Sequence, residues 1–358
     1  MKKTFIVFLS LIMATSMVLT GCSGATTATT AATTAAAATT TAGDATTATT
    51  AATGETVKVV VMPKLIGIPY FNASEAGAKQ CAADMGFEVI YAGPTEADAT
   101  QQFKMVEDYI TQGVDAICVA PNDPAGLTPA LQKAKDAGIT VIDWDTPADK
   151  AVVDYSIHQI DDKLLGEHMF KVLFEQIGKT EGTYAILTGG LEAANLNAWI
   201  DQGLLWAAEN YPDMKLVTDK IPTNEKQQEA YSKTLELLKA YPDLDGIMCM
   251  STPTPIGCGQ AIQELGLQDD IVVVGHAMPQ DAKDYLKDGS IDVGILWDVY
   301  KLGYLTAYIA YQQVLGQPIT DGMDVPNVGV ITLQDDGKTI IMGEPLDITA
   351  ENVDSLKF

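Results

Sequence analysis

Residues 59–71 read Val-Val-Val-Met-Pro-Lys-Leu-Ile-Gly-Ile-Pro-Tyr-Phe. The β-branched run that ends at Met62-Pro63 predicts a first strand. The loop after it carries Lys64, Tyr70 and Phe71, and a helix is predicted to begin at about residue 73. Open α/β sheets bind their ligands at the carboxyl ends of strands, close to the helix that follows. This stretch therefore predicts a parallel α/β fold and one wall of a ligand site.

The remainder of the chain repeats this pattern. From residue 57 onward, short apolar runs alternate with amphipathic stretches, which is typical of parallel strands joined by crossover helices. Gly86, Gly113 and Gly138 close three predicted helices, where a left-handed residue is favoured. The alternation of apolar and amphipathic segments begins again after an irregular segment at 146–159. The sequence predicts two Rossmann-like lobes in tandem, with short crossings that form a hinge and a ligand cleft between the lobes.

The composition excludes some partners. The chain has 358 residues and a net charge of −25, and its 22 basic residues are all lysine. An acidic surface without guanidinium groups is a poor partner for nucleic acid. This charge suits an exported protein that binds a small neutral ligand.

The N-terminus is typical of an exported lipoprotein. Lys2 and Lys3 precede an apolar run over 5–19 that is too short to span a membrane. The run ends in Leu-Thr-Gly-Cys at residues 19–22, which resembles the lipobox of bacterial lipoproteins. We expect a signal peptide at residues 1–21, lipidation at Cys22, and a disordered Thr/Ala-rich tether up to residue 54.

Metal and cofactor chemistry is not expected. The four cysteines after Cys22 lack CxxC spacing and are predicted to be small buried hydrophobes rather than disulfides or metal ligands: Cys81, Cys118, Cys249 and Cys258. The three histidines show no ligand spacing with them, so a zinc site is not predicted.

The candidate binding residues lie in or beside the loops that follow the predicted strands. They are Lys64, Tyr70, Phe71, Trp144, Asp145, Asn195, Asn197, Thr252, His276, Trp297 and Asp298. Two tryptophans are each followed by an aspartate. A sugar needs such partners, because its C–H faces lie on aromatic rings while its hydroxyls bond to carboxylates and amides. The alternative for each pair is a core tryptophan beside a helix-capping aspartate.

Two other features have alternative interpretations. Asn195 and Asn197 are spaced so that one caps the following helix while the other faces the ligand. Asp143 and Asp145 are a candidate acid/base pair for an exported glycoside hydrolase. Alternation along a strand points them to opposite faces, and the chain carries no hydrolase or nucleotide-binding motif, so binding is favoured over catalysis.

Several segments together resemble a known family. They are the lipobox, Met62-Pro63-Lys64, Gly93-Pro94-Thr95-Glu96, the Gly-Val-Asp-Ala-Ile run at 113–117, Trp144-Asp145 and Leu296-Trp297-Asp298. The chain is similar to ABC-importer substrate-binding proteins of the pentose/hexose (ribose-type) class, over nearly all of 57–358. This resemblance implies the type I periplasmic binding protein fold with three hinge crossings. It also implies membrane permease subunits as partners and a chemoreceptor as a possible further one.

Within that class the chain resembles the branch that holds the rhamnose-binding proteins and the autoinducer-2 receptor. Lys64 and Trp144-Asp145 match the receptor, whose Asp-Gln pair and Pro-x-Ala segment fall on Asn195-Leu196 and Met250–Thr252. The Ala194–Trp199 segment looks like the rhamnose branch. We expect a receptor for a rhamnose-like deoxysugar or related monosaccharide, with autoinducer-2 as the alternative ligand. The expected lobes are 55–160 plus 299–330 and 161–298 plus 331–358.

Overall fold

The computed structural model describes residues 56–356. The predicted signal peptide, the lipidation site at Cys22 and the predicted tether lie outside the described residues. Within 56–356, none of the helices combines the length and the apolar character needed to cross a membrane.

The first part of the chain alternates strands and helices as predicted. Its elements are β1 (Lys58–Met62), α1 (Pro69–Met85), β2 (Glu88–Tyr91), α2 (Ala99–Gln112), β3 (Ala116–Val119), α3 (Pro124–Asp136), β4 (Thr140–Trp144) and β5 (Tyr155–His158). Gly86 and Gly113 are left-handed caps with φ of 80° and 67°, which confirms these two predicted helix ends.

A second series of alternating elements follows. These are α4 (Asp162–Ile177), β6 (Glu181–Thr188), α5 (Ala194–Asn210), β7 (Asp213–Leu216), β8 (Ile221–Pro222), α6 (Gln227–Ala240), β9 (Gly246–Cys249), α7 (Pro253–Leu265), β10 (Val272–Gly275), α8 (Pro279–Asp288) and β11 (Val293–Leu296). The strand predicted over 215–221 is divided into β7 and β8, which both pair with β6.

The chain then returns to the first lobe through a long helix. The last elements are α9 (Val299–Val314), β12 (Asp324–Val325), β13 (Gly329–Val330), β14 (Thr332–Leu333), β15 (Thr339–Ile341) and β16 (Leu346–Ile348), followed by a 3-10 turn at Val353–Ser355. Helix α9 packs along α1 at very close range. A Cβ on Gly77 would lie 1.9 Å from the Tyr300 carbonyl oxygen, and a Cβ on Gly303 would lie 1.9 Å from that of Ser74.

The strands form two large sheets. The first has the order β14-β15-β5-β4-β3-β1-β2, and the second has the order β16-β11-β10-β9-β6-β7. In each sheet the single antiparallel pairing joins an edge strand, β14 to β15 and β16 to β11. The chain crosses between the sheets three times: from β5 to α4, from β11 to α9 and from β15 to β16. The predicted fold of two Rossmann-like lobes with a three-crossing hinge is confirmed.

One predicted lobe boundary is wrong. The segment 331–358 was assigned wholly to the second lobe, but β14 and β15 belong to the first sheet. Strand β15 pairs in parallel with β5, with Ile340 opposite Ile157. The chain crosses to the second lobe only at β16. Edge pairing of this kind depends on hydrogen bonds between distant segments, so local sequence does not reveal it.

Two helices begin earlier than predicted. Helix α1 starts at Pro69 rather than near residue 73, so Tyr70 and Phe71 occupy its first turn instead of a loop. Helix α7 starts at Pro253, within the Pro-Thr-Pro segment that was predicted to be a turn. Proline is well suited to the first turn of a helix, because its φ is already helical and its missing N–H has no partner there.

The four cysteines within 56–356 behave as predicted. All are buried and carry free thiols. Burial raises the pKa of the Cys81 thiol to about 12, so this thiol is un-ionised and unreactive at neutral pH. No cluster of potential metal ligands occurs among residues 56–356.

Candidate functional site

A cavity lies between the lobes, where the carboxyl ends of strands from both sheets converge. A cleft lined by apolar and aromatic side chains with a few polar groups is a typical site for a small ligand. The predicted residues that line it are Lys64, Tyr70, Phe71, Asp145, Asn195, Thr252, His276 and Trp297. It is also lined by Ile68, Leu196, Trp199, Glu225, Met250 and Ser251, which were not among the candidate binding residues.

The lobes meet across the cavity through Lys64, whose side chain is nearly fully buried. Its Nζ donates a hydrogen bond of 3.0 Å to Oδ1 of Asn195 in the second lobe. The same ammonium lies 3.7 Å from Oδ2 of Asp145 in the first lobe. The loop that carries Lys64 is itself fixed, because Asn122 Nδ2 donates to the Lys64 carbonyl oxygen at 2.8 Å. A buried cation is therefore held between an amide and a carboxylate from opposite lobes.

Asp145 reaches the cavity through a strained backbone. Its φ is 61°, and the Thr146 N–H donates to the Trp144 carbonyl oxygen at 2.6 Å, which defines a tight γ-turn centred on Asp145. The Asp145 carboxylate also accepts a hydrogen bond of 2.6 Å from the hydroxyl of Tyr70. Strain of this kind is typical of functional sites, where the surrounding contacts hold an unfavourable conformation.

Asp143 has a different environment, as strand alternation predicts. Its carboxylate accepts hydrogen bonds from Ser156 Oγ and from the Ala148 N–H, and it does not line the cavity. Burial raises the pKa of Asp143 to about 6. The two aspartates therefore do not share a site, and no acid/base pair forms.

Aromatic rings form the apolar walls. Trp297 stands edge-on to Tyr70, with ring centroids 6.0 Å apart, and its Nε1 donates to the Tyr70 hydroxyl at 3.2 Å. Phe71 and Trp199 extend these walls in the first and second lobes. The aromatic walls therefore line the same cavity as the charged side chains of Lys64 and Asp145.

His276 contributes a hydrogen-bond acceptor. Its Nδ1 lies 2.9 Å from the Ile295 carbonyl oxygen, so Nδ1 carries the proton. Burial lowers the pKa of His276 to about 4, and the ring is neutral at physiological pH. Its Nε2 has no hydrogen-bond partner among residues 56–356. A ligand hydroxyl would satisfy this buried acceptor.

Three predicted residues are not at the cavity. Trp144 is completely buried behind Phe71, with ring centroids 5.9 Å apart. Asp298 caps helix α9 by accepting from the Lys301 N–H at 3.1 Å, which was the alternative interpretation of this Trp-Asp pair. Asn197 donates to the Leu191 carbonyl oxygen at 2.8 Å and accepts from Lys220. The Asp298 and Asn197 side chains are committed to partners in the protein, and none of the three residues lines the cavity, so direct ligand contact by them is not supported.

Two cavity residues that were left out of the candidate binding residues have a recognisable signal in the sequence. Trp199 lies four positions after Asn195 on α5 and therefore on the same helix face. Glu225 follows β8, and inspection of every strand end would have included it. The burial of Glu225 could not be anticipated, because an acidic residue in a loop is ordinarily exposed.

The protein family follows from comparison with known proteins. Residues 59–318 match the family model for the periplasmic binding protein domain. This chain belongs to that family. Its members are substrate-binding proteins of ABC transporters rather than enzymes, so the glycoside hydrolase alternative is set aside.

Two solved structures are similar to this binding protein over most of its length. LsrB from Clostridium saccharobutylicum in complex with AI-2 is 28% identical, with a TM-score of 0.79, and the match covers 84% of this chain and 100% of that one. A solute-binding protein from Clostridium phytofermentans with bound L-rhamnose is 26% identical, with a TM-score of 0.79 and coverage of 84% and 98%.

Two further relatives are both named as sugar import binding proteins. The D-apiose import binding protein of Actinobacillus succinogenes is 27% identical, and the match covers 63% of this chain and 70% of the relative. The ribose import binding protein of Bacillus subtilis is 24% identical, with coverage of 72% and 82%.

Proposed function

We propose that this binding protein captures a neutral monosaccharide outside the cell and presents it to an ABC sugar importer. The observation that carries this proposal is the joint placement of Lys64, Asp145 and Asn195 opposite aromatic walls in one inter-lobe cavity. Sugar hydroxyls bond to such polar groups, while the C–H faces of the ring pack on aromatic side chains. The relatives named for apiose and ribose import support the same ligand class.

A rhamnose-like deoxysugar is the leading ligand. Ile68, Leu196 and Met250 add aliphatic surface to the cavity, and this surface suits the methyl group of a 6-deoxyhexose. The similarity to the protein solved with L-rhamnose supports this assignment. Leu196 also provides no hydrogen bond at a position where the autoinducer-2 pattern has a glutamine.

Autoinducer-2 is the second candidate, because one specific contact favours it. The buried Lys64–Asp145 pair, 3.7 Å apart, reproduces two elements of that receptor's pattern. The similarity to LsrB solved with AI-2 also supports this candidate. Both ligands require the same fold and the same inter-lobe closure.

We also propose a lipid anchor at Cys22, which would hold the protein close to its membrane partners. The lipobox ending at Cys22 supports a lipid anchor on the outer face of the cytoplasmic membrane, where the protein would meet permease subunits or a chemoreceptor. Growth of the producing cell with a labelled fatty acid is expected to label the protein, and Cys22→Ser is expected to abolish the label. Absence of label from the unsubstituted protein would contradict the anchor.

Calorimetry of the purified protein against a sugar panel tests the ligand. The panel contains L-rhamnose, L-fucose, D-ribose and D-apiose, and Asp145→Asn serves as the matched variant because asparagine tolerates the same left-handed backbone. We expect heat with a deoxyhexose and a weaker response from Asp145→Asn. Absence of heat with every deoxyhexose and pentose would overturn the monosaccharide assignment. Release of signal activity from protein unfolded after exposure to signal-containing medium would favour autoinducer-2.

A further inference from the structure

Glu225 places a second carboxylate in the cavity, from the lobe opposite Asp145. It lies in the loop between β8 and α6 and is only 9% exposed. Among residues 56–356 it forms no ion pair with a lysine. A buried carboxylate is costly unless hydrogen-bond donors surround it. Its presence in the ligand cavity therefore requires an explanation.

The loop that carries Glu225 is strongly constrained. Thr223 is fixed to the end of β6, because its N–H and its hydroxyl both donate to the Thr188 carbonyl oxygen, at 2.8 and 3.0 Å. The Asn224 N–H donates to the Gly189 carbonyl oxygen at 2.7 Å. Asn224 and Glu225 both adopt the left-handed region, with φ of 52° and 57°. Two consecutive left-handed residues other than glycine are unfavourable, and strain of this kind concentrates at ligand sites.

Gly189 makes room for this carboxylate. A Cβ at position 189 would lie 2.1 Å from Oε1 of Glu225, so any other residue would displace the carboxyl group. The strained loop and the glycine at the end of β6 thus together hold the Glu225 side chain against the floor of the cavity.

The charges around Glu225 come from both lobes. Burial raises its pKa, and the negative charge of Asp145 acts in the same direction. The ammonium of Lys64 and the nearby Ser251 hydroxyl lower the pKa of Glu225 and favour its ionised form. Two carboxylates, from opposite lobes, therefore share the influence of one cation. His276 Nε2 adds a third acceptor site without a partner among residues 56–356.

We infer that Glu225 binds a pair of neighbouring hydroxyl groups on the ligand and sets the specificity of the second lobe. This inference rests on the proposed function. Hydroxyls are the groups with which a neutral monosaccharide donates hydrogen bonds, and a carboxylate offers two acceptor oxygens to adjacent ones. Sites built to bond a hydroxyl strongly reject analogues that lack it. The ligand class is thus a neutral sugar with a vicinal diol that faces the second lobe.

The test combines variants with ligand analogues. Calorimetry on the intact protein compares the best-bound sugar of the panel with its monodeoxy analogues, for the unsubstituted chain and for Glu225→Gln. We expect Glu225→Gln to weaken binding of the parent sugar roughly ten- to a hundredfold, as for loss of a hydrogen bond to a charged group. A deoxy analogue that lacks a hydroxyl facing Glu225 should lose affinity with the unsubstituted protein and little more with the variant.

Glu192→Gln is the matched control, because Glu192 is exposed and outside this cavity. It is expected to change the Kd by less than about twofold. Thermal unfolding identifies any variant whose folding is affected. An unchanged Kd in folded Glu225→Gln, or equal losses for every analogue in both proteins, would overturn this inference alone. Absence of sugar binding by the unsubstituted protein would overturn the proposed function and this inference with it.

Discussion

Lys64 and Asn195 lie 131 residues apart in the chain and are joined across the cleft by a hydrogen bond of 3.0 Å. Lys64 belongs to the loop after β1, and Asn195 belongs to the first turn of α5, so this bond connects the two lobes. Asp145 also approaches the same ammonium, so side chains from both lobes form one polar cluster across the cleft.

Removal of the Lys64 charge should impair binding and stability together. We expect Lys64→Met to reduce sugar affinity at least tenfold and to lower stability by about 3 kcal/mol, because the buried Asp145 loses its counter-charge. Calorimetry and chemical denaturation measure the two effects. Lys226→Met is the control, since Lys226 also pairs across the cleft, with Glu96 at 3.3 Å, but both side chains are largely exposed. Equal losses in both variants would contradict a special role for Lys64.

Substitution of His276 tests its role as an acceptor. His276→Phe retains a ring beside Trp199 and Trp297 but removes Nε2, so sugar affinity should fall about three- to tenfold. His168→Phe makes the same change at a site that does not line the cavity and should leave the Kd unchanged. If His276→Phe binds the sugar as tightly as the unsubstituted protein, Nε2 does not accept a ligand hydroxyl.

Asp143 should make stability depend on pH. Burial raises the pKa of Asp143 to about 6 in the folded protein, whereas the pKa of an aspartate in the unfolded chain has its ordinary value of 3.8. Since the folded state binds the additional proton within this window, rising pH favours unfolding there. Relative to Asp143→Asn, the unsubstituted protein should lose up to about 3 kcal/mol between about pH 4 and pH 6. Urea denaturation across this range measures the difference, and parallel pH profiles would contradict it.

The close packing of α1 on α9 should not tolerate a side chain. Gly77→Ala places a methyl group 1.9 Å from the Tyr300 carbonyl oxygen, and the helices must move apart. We expect destabilisation of about 3 kcal/mol, measured by urea denaturation. Gly343→Ala is the control, because a Cβ there meets no atom within 4 Å. A stable Gly77→Ala variant would show that this contact is more adaptable than the structure indicates.

Much of the fold is predictable from local sequence. Alternating apolar and amphipathic segments identify the parallel strands and helices, because burial on a sheet imposes that pattern. Gly86 and Gly113 end their helices as predicted, since only glycine adopts the left-handed cap without strain. The starts of α1 and α7 were missed because proline was interpreted as part of a loop rather than as a first-turn residue.

The candidate site is only partly predictable, because side-chain direction depends on distant contacts. Lys64 and Asp145 were selected correctly as residues of the cleft. Asn197 and Asp298 were selected wrongly, because each side chain bonds to a nearby backbone group and does not face the cavity. Local sequence does not distinguish these two outcomes. Glu225 was missed because its burial depends on Gly189 in another strand segment.

The sequence by itself determined the order of strands and helices and the residues at many strand ends, since both follow from local patterns of burial and backbone preference. Only the tertiary structure decided that β14 and β15 join the first sheet and that Glu225 enters the cavity. Both depend on hydrogen bonds and close contacts between segments far apart in the chain. Such contacts have no local signature, because they exist only after the chain has folded.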